Sequence, residues 1–165
     1  YGGARRRLIE ELQRKGIRSL TVLKAFDDVP RHEFVPSGLR HRAYEDAPLP
    51  IGHGQTISQP WVHAKYLELL DLKGTERVLE IGTGSGFQTA LLTKLARHVF
   101  SIERLAPLAE QAREALRRCG VDHVIQRVGD GTLGWPEHGP YDAILVGAAS
   151  PDVPQPLLEQ LAEEI

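Results

Sequence analysis

Methionine is absent from this chain, cysteine occurs once, and charge of neither sign dominates. Each shortage excludes something. A single cysteine, Cys119, rules out a disulfide framework within the chain and fits a reducing cytoplasm. Without methionine, Tyr1 is not expected to be a translation start. No apolar run approaches the roughly 18 residues of a membrane helix, and no signal peptide is visible. A net charge of −2 gives no broad pull on nucleic acid or anionic membrane, so neither is expected as a partner. Arg5-Arg6-Arg7 reads as the solvated start of a helix, since no basic or aromatic stripe continues it. His53 and His63 match no metal-ligand spacing, and no cysteine near them completes a set, so no metal is expected. Neither repeats nor low-complexity segments occur. What remains, 165 residues with 41% hydrophobic and 25% charged side chains, is the composition of one soluble globular domain.

Residues 77–87 organise the rest. An apolar strand-like run, Val78, Leu79 and Ile81, breaks into three alternate glycines, Gly82, Gly84 and Gly86, with Thr83 and Ser85 between them. A helical pattern starts at Gln88. Strand, glycine turn and helix in that order let backbone approach a ligand and aim helix amides at it. In the dinucleotide fingerprint the third glycine comes five positions after the first; here it comes at four, with Phe87 at the fifth. Glu80 stands two residues before the turn. A second strand, 97–102, ends in Glu103, which lies 21 residues after Gly82. A carboxylate at that spacing can accept hydrogen bonds from both ribose hydroxyls. Turn, spacing and acid together point to an adenosine-containing cofactor; the competing reading of the turn alone is a tight connection with no ligand. Asp130 in Gly129-Asp130-Gly131 follows the third strand, where it can accept from an adenine amino group or simply make an Asp-Gly turn.

Helices are expected at 4–15, over a short stretch ending before Pro30, at 62–72, from Gln88 through Leu95, at 105–116, and at 154–164 with Leu157, Leu158 and Leu161 inward. Residues 30–36 and 43–60 show no periodicity and read as non-regular; the second is an 18-residue loop, functional or disordered. Strands are expected at 77–81, 97–102, 121–128 and 141–146. The order β-α-β-α-β-loop-β-α implies an α/β, doubly wound, mostly parallel sheet with helices on both faces and a ligand across the carboxyl ends of the strands. Residues 1–76 read as an N-terminal helical extension with a covering loop and 77–165 as the core, within one structural domain. A further strand is expected after the last helix.

Several segments together resemble the protein-L-isoaspartate (D-aspartate) O-methyltransferase family. They are Val29-Pro-Arg-His-Glu-Phe-Val-Pro36, Ala43-Tyr44, Gly54-Gln-Thr-Ile-Ser-Gln-Pro60, the glycine turn, Gly129-Asp-Gly131 and the run from Tyr141 to Ala149. The stretch Gln55-Thr56-Ile57-Ser58 ahead of a methyltransferase turn is the specific part. The resemblance implies a class I, Rossmann-like fold and S-adenosylmethionine as cofactor. It implies methyl transfer to the α-carboxylate of L-isoaspartyl, and also D-aspartyl, residues of damaged proteins and peptides, which begins repair through a succinimide. It assigns Ser58 as the active-site residue. Gln55, Thr56, Ile57, His63, Glu80, Gly82, Thr83, Gly84, Ser85, Gly86, Glu103, Arg104, Asp130 and Gly131 would line the cofactor. Val146, Gly147 and Ala148, all small or slim at a strand end, leave room for a substrate backbone, or simply pack closely there. From local sequence alone Ser58 would be the N-cap of the following helix. Alternatives are a small-molecule methyltransferase using the same cofactor and a non-catalytic nucleotide-binding module; the four-residue glycine spacing argues against a nicotinamide-dependent dehydrogenase. Members of the family continue beyond the last helix seen here, with strands that complete the sheet. A monomer is expected.

Overall fold

The structure, a computed structural model, describes residues 1–147 and 153–162. Helices α1 (Gly2–Arg14) and α2 (Leu20–Asp28) lead into two 3-10 turns, Arg31–Phe34 and Ser37–Arg42. A hairpin follows, β1 (Leu49–Gly52) and β2 (Gln55–Ile57), then α3 (Pro60–Leu70). The core alternates β3 (Arg77–Ile81), α4 (Phe87–Leu95), β4 (His98–Glu103), α5 (Ala106–Arg118), β5 (Val124–Val128) and β6 (Ala143–Val146); the short helix α6 (Gln155–Glu159) comes last.

The four core strands pair in parallel in the order β5-β4-β3-β6. From β3 the chain steps outward to β4 and β5, then returns to the far side of β3 as β6. That reversal opens a crevice at the carboxyl ends of β3 and β6, where ligands bind in open α/β sheets. The two sheet faces separate as strand alternation requires. Val78, Val99, Ala143 and Leu145 pack under α4 and α5 in a cluster that continues through Phe87 to Leu8, Leu12 and Phe26 of the N-terminal helices. Leu79, Ile81, Phe100 and Ile102 face the other way, onto Trp135, Tyr141 and Leu157. The fold is thus α/β and doubly wound, with helices on both faces, as expected.

Five local expectations need correction. The 43–60 segment is not irregular throughout. Leu49 and Ile51 are buried and Pro50 is exposed, and His53-Gly54, both at positive φ, form the two-residue turn that suits a hairpin. Residues 30–36 contain a 3-10 turn. The third core strand starts at Val124, because the Val121 amide closes the end of α5 on Leu116 O at 2.9 Å, with Gly120 left-handed between them. The last helix is short: Leu157 is buried, but Leu158 and Leu161 are exposed. Tyr141 lies outside β6 and bridges to Leu161 instead.

Candidate active site

The glycine turn is held by its neighbours. The Gly82 and Thr83 amides donate to Ile102 O at 2.8 and 3.3 Å, and the Gly86 amide to Thr83 O at 2.9 Å. Gly82, Gly84 and Gly86 all have positive φ, which residues with a Cβ rarely adopt. Gly86 also permits close helix packing: a Cβ there would lie 3.2 Å from Ala112 Cβ of α5. Glu103 pins the turn from the next strand. One carboxylate oxygen accepts from the Gly84 amide and the other from the Leu105 amide, each at 2.9 Å. A carboxylate has about four lone-pair sites, so acceptor capacity remains for a ligand.

Glu80, the residue before Ile81, is sealed in the sheet. Its Oε1 accepts from the hydroxyls of Thr89 and, at 2.7 Å, Ser101. Burial raises its pKa to about 7, with the negative charge of Glu103 adding to the rise and the two hydroxyls opposing it.

Above this turn lies a cavity of about 290 Å³. Gln55, Thr56, Ile57 and Ser58 of the hairpin segment line it, as do His63, Glu80, Gly82, Thr83, Gly84 and Ser85. Glu103, Arg104, Asp130, Gly131 and Gly147 complete its expected lining. Two expected residues are not on the wall. Gly86 lies behind the turn against α5. Val146 pairs with Ile81 inside the sheet and packs toward Trp135 and Tyr141. Ala148 lies outside the described residues. Gly131 passes so close to β3 that a Cβ would stand 2.3 Å from Ile81 Cγ2, and one on Gly147 would be 3.2 Å from Ile81 O. Asp130 caps the turn after β5, accepting at Oδ1 from the Thr132 amide and hydroxyl at 3.0 and 2.7 Å; these bonds hold its carboxyl below the usual range.

Ser58 does not cap α3. The cap position is Gln59, and no side chain of that segment bonds the helix amides there. Asp46 does so from a distance: its carboxylate accepts from the Trp61 amide at 2.8 Å and Gln59 Nε2 at 3.1 Å, and pairs with Lys15 at 2.5 Å. Burial pushes the Asp46 carboxyl up, but these contacts outweigh it and leave its pKa lowered. Ser58 is therefore relieved of the capping role and stands on the cavity wall.

Sequence reasoning gave Arg31 no role, yet it is 1% exposed and ties the site together. Its guanidinium donates to Ala43 O at 2.8 Å and to Ser58 O at 2.9 Å, and stacks 4.7 Å from the centre of the Phe87 ring. Burial lowers its pKa to about 9, which leaves it charged at neutral pH. Nothing local marks this residue; only its partners, 12 and 27 positions away, reveal it. His63 packs 5.7 Å from the same ring. Burial, and then the charge of Arg31, lower its pKa to about 3, so the imidazole is neutral. Tyr66, Gln88, Thr132 and Leu145 also line the cavity without having been expected there. Among the described residues no cluster of His, Cys, Asp and Glu has metal-binding geometry, and no helix is long and apolar enough to cross a membrane.

Known proteins share this sequence and fold. The family described as protein-L-isoaspartate(D-aspartate) O-methyltransferase matches residues 4–164. The protein-L-isoaspartate O-methyltransferase of a Synechococcus strain is 59% identical over 153 residues, 93% of this chain and 63% of that protein. That of Dictyoglomus turgidum is 54% identical over 163 residues, 99% of this chain and 74% of its own length. A solved structure named protein-L-isoaspartate O-methyltransferase superposes with a TM-score of 0.86 at 34% identity, over 96% of this chain and 52% of its own. A Plasmodium falciparum structure named a protein-L-isoaspartate O-methyltransferase beta-aspartate methyltransferase, in complex with S-adenosyl-L-homocysteine, gives 0.78 at 29% identity over 94% and 78%. This chain thus spans roughly half to three quarters of these relatives' lengths. By the extent of the match and by the identity it shares with these proteins, the chain belongs to the protein-L-isoaspartate (D-aspartate) O-methyltransferase family.

Proposed function

We propose that this protein transfers a methyl group from S-adenosylmethionine to the α-carboxylate of L-isoaspartyl, and also D-aspartyl, residues in damaged proteins and peptides, and so begins their repair through a succinimide. One observation carries the reading. The cavity at the sheet's switch point is lined both by Ser58, from a segment far in sequence from the core strands, and by the glycine turn and Glu103.

The residues fit the cofactor. Acceptors close β4 and follow β5, at Glu103 and Asp130, in the order that a ribose and an adenine would need. Gly131 and Gly147 both line the cavity and lie so close to Ile81 that neither position has room for a side chain. When bound, S-adenosylmethionine supplies an electrophilic sulfonium methyl, and the oxygen–carbon bond forms as the carbon–sulfur pair returns to sulfur.

The chain's own part is positional. A carboxylate with an ordinary pKa near 4 is already ionised at pH 7, so no base is needed to activate it. Ser58 can donate a hydrogen bond to one carboxylate oxygen and leave the other in line with the methyl group. Holding the reacting atoms in line contributes on the order of 7–11 kcal/mol in favourable cases. Arg31 fixes the Ser58 carbonyl, and its buried positive charge favours an anion nearby. Neutral His63 adds no cation to compete for that anion. Gly147 puts only main chain on the cavity lining where β6 ends, and a substrate backbone can approach it there.

In this reading residues 1–76 are the covering extension and 77–165 the cofactor-binding core of one domain. The protein acts as a cytoplasmic monomer, without nucleic acid or membrane. The lone cysteine and the net charge of −2 support that setting.

The test is methyl transfer from labelled S-adenosylmethionine to an isoaspartyl peptide and to its aspartyl twin. Label on the isoaspartyl peptide alone is expected. Equal label on both, or none on either, would overturn the substrate assignment.

A further inference from the structure

Two polar atoms on the α3–α4 side of the cavity have no partner among the described residues: Gln88 Oε1 and His63 Nδ1. Both residues line the cavity, and Gln88 is only 7% exposed. A buried acceptor without a donor is costly, so such an atom in a binding wall points to a ligand. The amide orientation is set by its other end. Gln88 Nε2 donates to His63 O at 3.5 Å, and turning the amide over would face two oxygens at each other. The group offered at the wall is therefore an acceptor.

Sheet order says which donor it meets. Resting on the function proposed above, the cofactor offers two ribose hydroxyls, an adenine amino group and the α-ammonium of its methionyl arm. Glu103 ends β4 and Asp130 follows β5, so the hydroxyls and the adenine lie toward the β5 edge. Gln88 is on α4, the helix that leaves β3, and donates to His63 O of α3, which packs on α1 and α2, whereas the helix that packs on β5 is α5. The ammonium is the donor left. At the N-terminus of α4 the Ser85 hydroxyl takes only the first amide, that of Phe87, at 3.2 Å, and the N-cap Gly86 has no side chain to offer, so the helix's positive end suits the carboxylate of the same arm.

We propose that Gln88 Oε1 accepts a hydrogen bond from the α-ammonium group of S-adenosylmethionine, and that this contact selects a cofactor carrying an intact amino-acid arm.

Isothermal titration of the full chain with S-adenosylhomocysteine, and with its analogue lacking the α-amino group, tests this. The wild type is expected to prefer S-adenosylhomocysteine by about tenfold or more, as a hydrogen bond to a charged group gives. Gln88→Met keeps length and apolar volume. It should bind the des-amino analogue as the wild type does and lose most of the preference. Gln88→Glu keeps an acceptor and should retain the preference; it decides the matter should Gln88→Met fail to fold, because its loss of preference would overturn the proposal. A Gln88→Met protein that keeps the wild-type preference, or weakens both ligands equally, overturns it too. So does one that raises only the KM for the isoaspartyl peptide, which would make a substrate amide the donor. Wild-type protein that binds neither ligand would instead defeat the cofactor reading itself.

Discussion

Replacing Glu80 by glutamine isolates the cost of a carboxyl group sealed beneath the cavity. The carboxamide oxygen can still accept from the Thr89 and Ser101 hydroxyls, so the contacts survive and only the titration is removed. In the folded protein burial raises the Glu80 pKa to about 7 from an ordinary 4.5. The folded state therefore keeps its proton across a window in which the unfolded chain has released it. Stability falls as pH rises through that window; the penalty is absent below about pH 4.5 and complete above about pH 7. At about 1.4 kcal/mol per pH unit the full penalty is about 3 kcal/mol. For a chain of this size that corresponds to about 6–12 °C in Tm. His63 tilts the opposite way. Its folded pKa of about 3 lies below its ordinary 6.5, so its contribution is present above pH 6.5 and lost as pH falls toward 3. The two slopes oppose one another between pH 4.5 and 6.5. Thermal unfolding of wild type and Glu80→Gln from pH 4.5 to 8, without cofactor, separates them. The variant should gain on the wild type steadily as pH rises, by about the Tm margin above. Parallel Tm profiles would show that Glu80 ionises normally, and the burial reasoning would fail.

Other perturbations follow from the same contacts. Ser58→Ala should slow methylation of an isoaspartyl peptide by about 10–100-fold, one hydrogen bond to a charged group, while the Kd for S-adenosylhomocysteine stays put; an unchanged rate would remove Ser58 from the reaction. Gly131→Ala sets a methyl 2.3 Å from Ile81 Cγ2 and should cost about 1–3 kcal/mol in urea unfolding, with weaker cofactor binding. Arg31→Met leaves the Ala43 and Ser58 carbonyls without their donor and should destabilise by about 2–5 kcal/mol. Because the Arg31 charge also depresses His63, the same variant should raise the His63 pKa, readable by NMR titration.

The legible features were those that local chemistry dictates. A turn needing positive φ at 82, 84 and 86 demands glycine, and Glu103 ends the next strand as its spacing suggests, so the shape of the turn and the place of the acid could be read directly. Apolar periodicity likewise placed α4, α5 and the parallel strands. The hairpin was missed because Pro50, a register shift between Pro50 and Gly52, and a histidine in the turn obscure its alternation. Val121 looked like strand sequence, but its amide was needed to finish α5. Long-range roles left no local trace. The cap on α3 comes from Asp46, 15 residues before Trp61, and freed Ser58 from the role its neighbourhood suggested. Arg31 acquires its role only when the 43–60 segment folds back over it, and Gln88 only when α3 brings His63 alongside α4.

The most direct measurement is a crystal structure of this protein with S-adenosylhomocysteine bound. The account expects the ribose hydroxyls within hydrogen-bond distance of Glu103, the adenine beside Asp130, and the sulfur facing Ser58 across the space beside Gly147. A ligand seated away from the Gly82–Ser85 turn, or one whose sulfur faces away from Ser58, would contradict it.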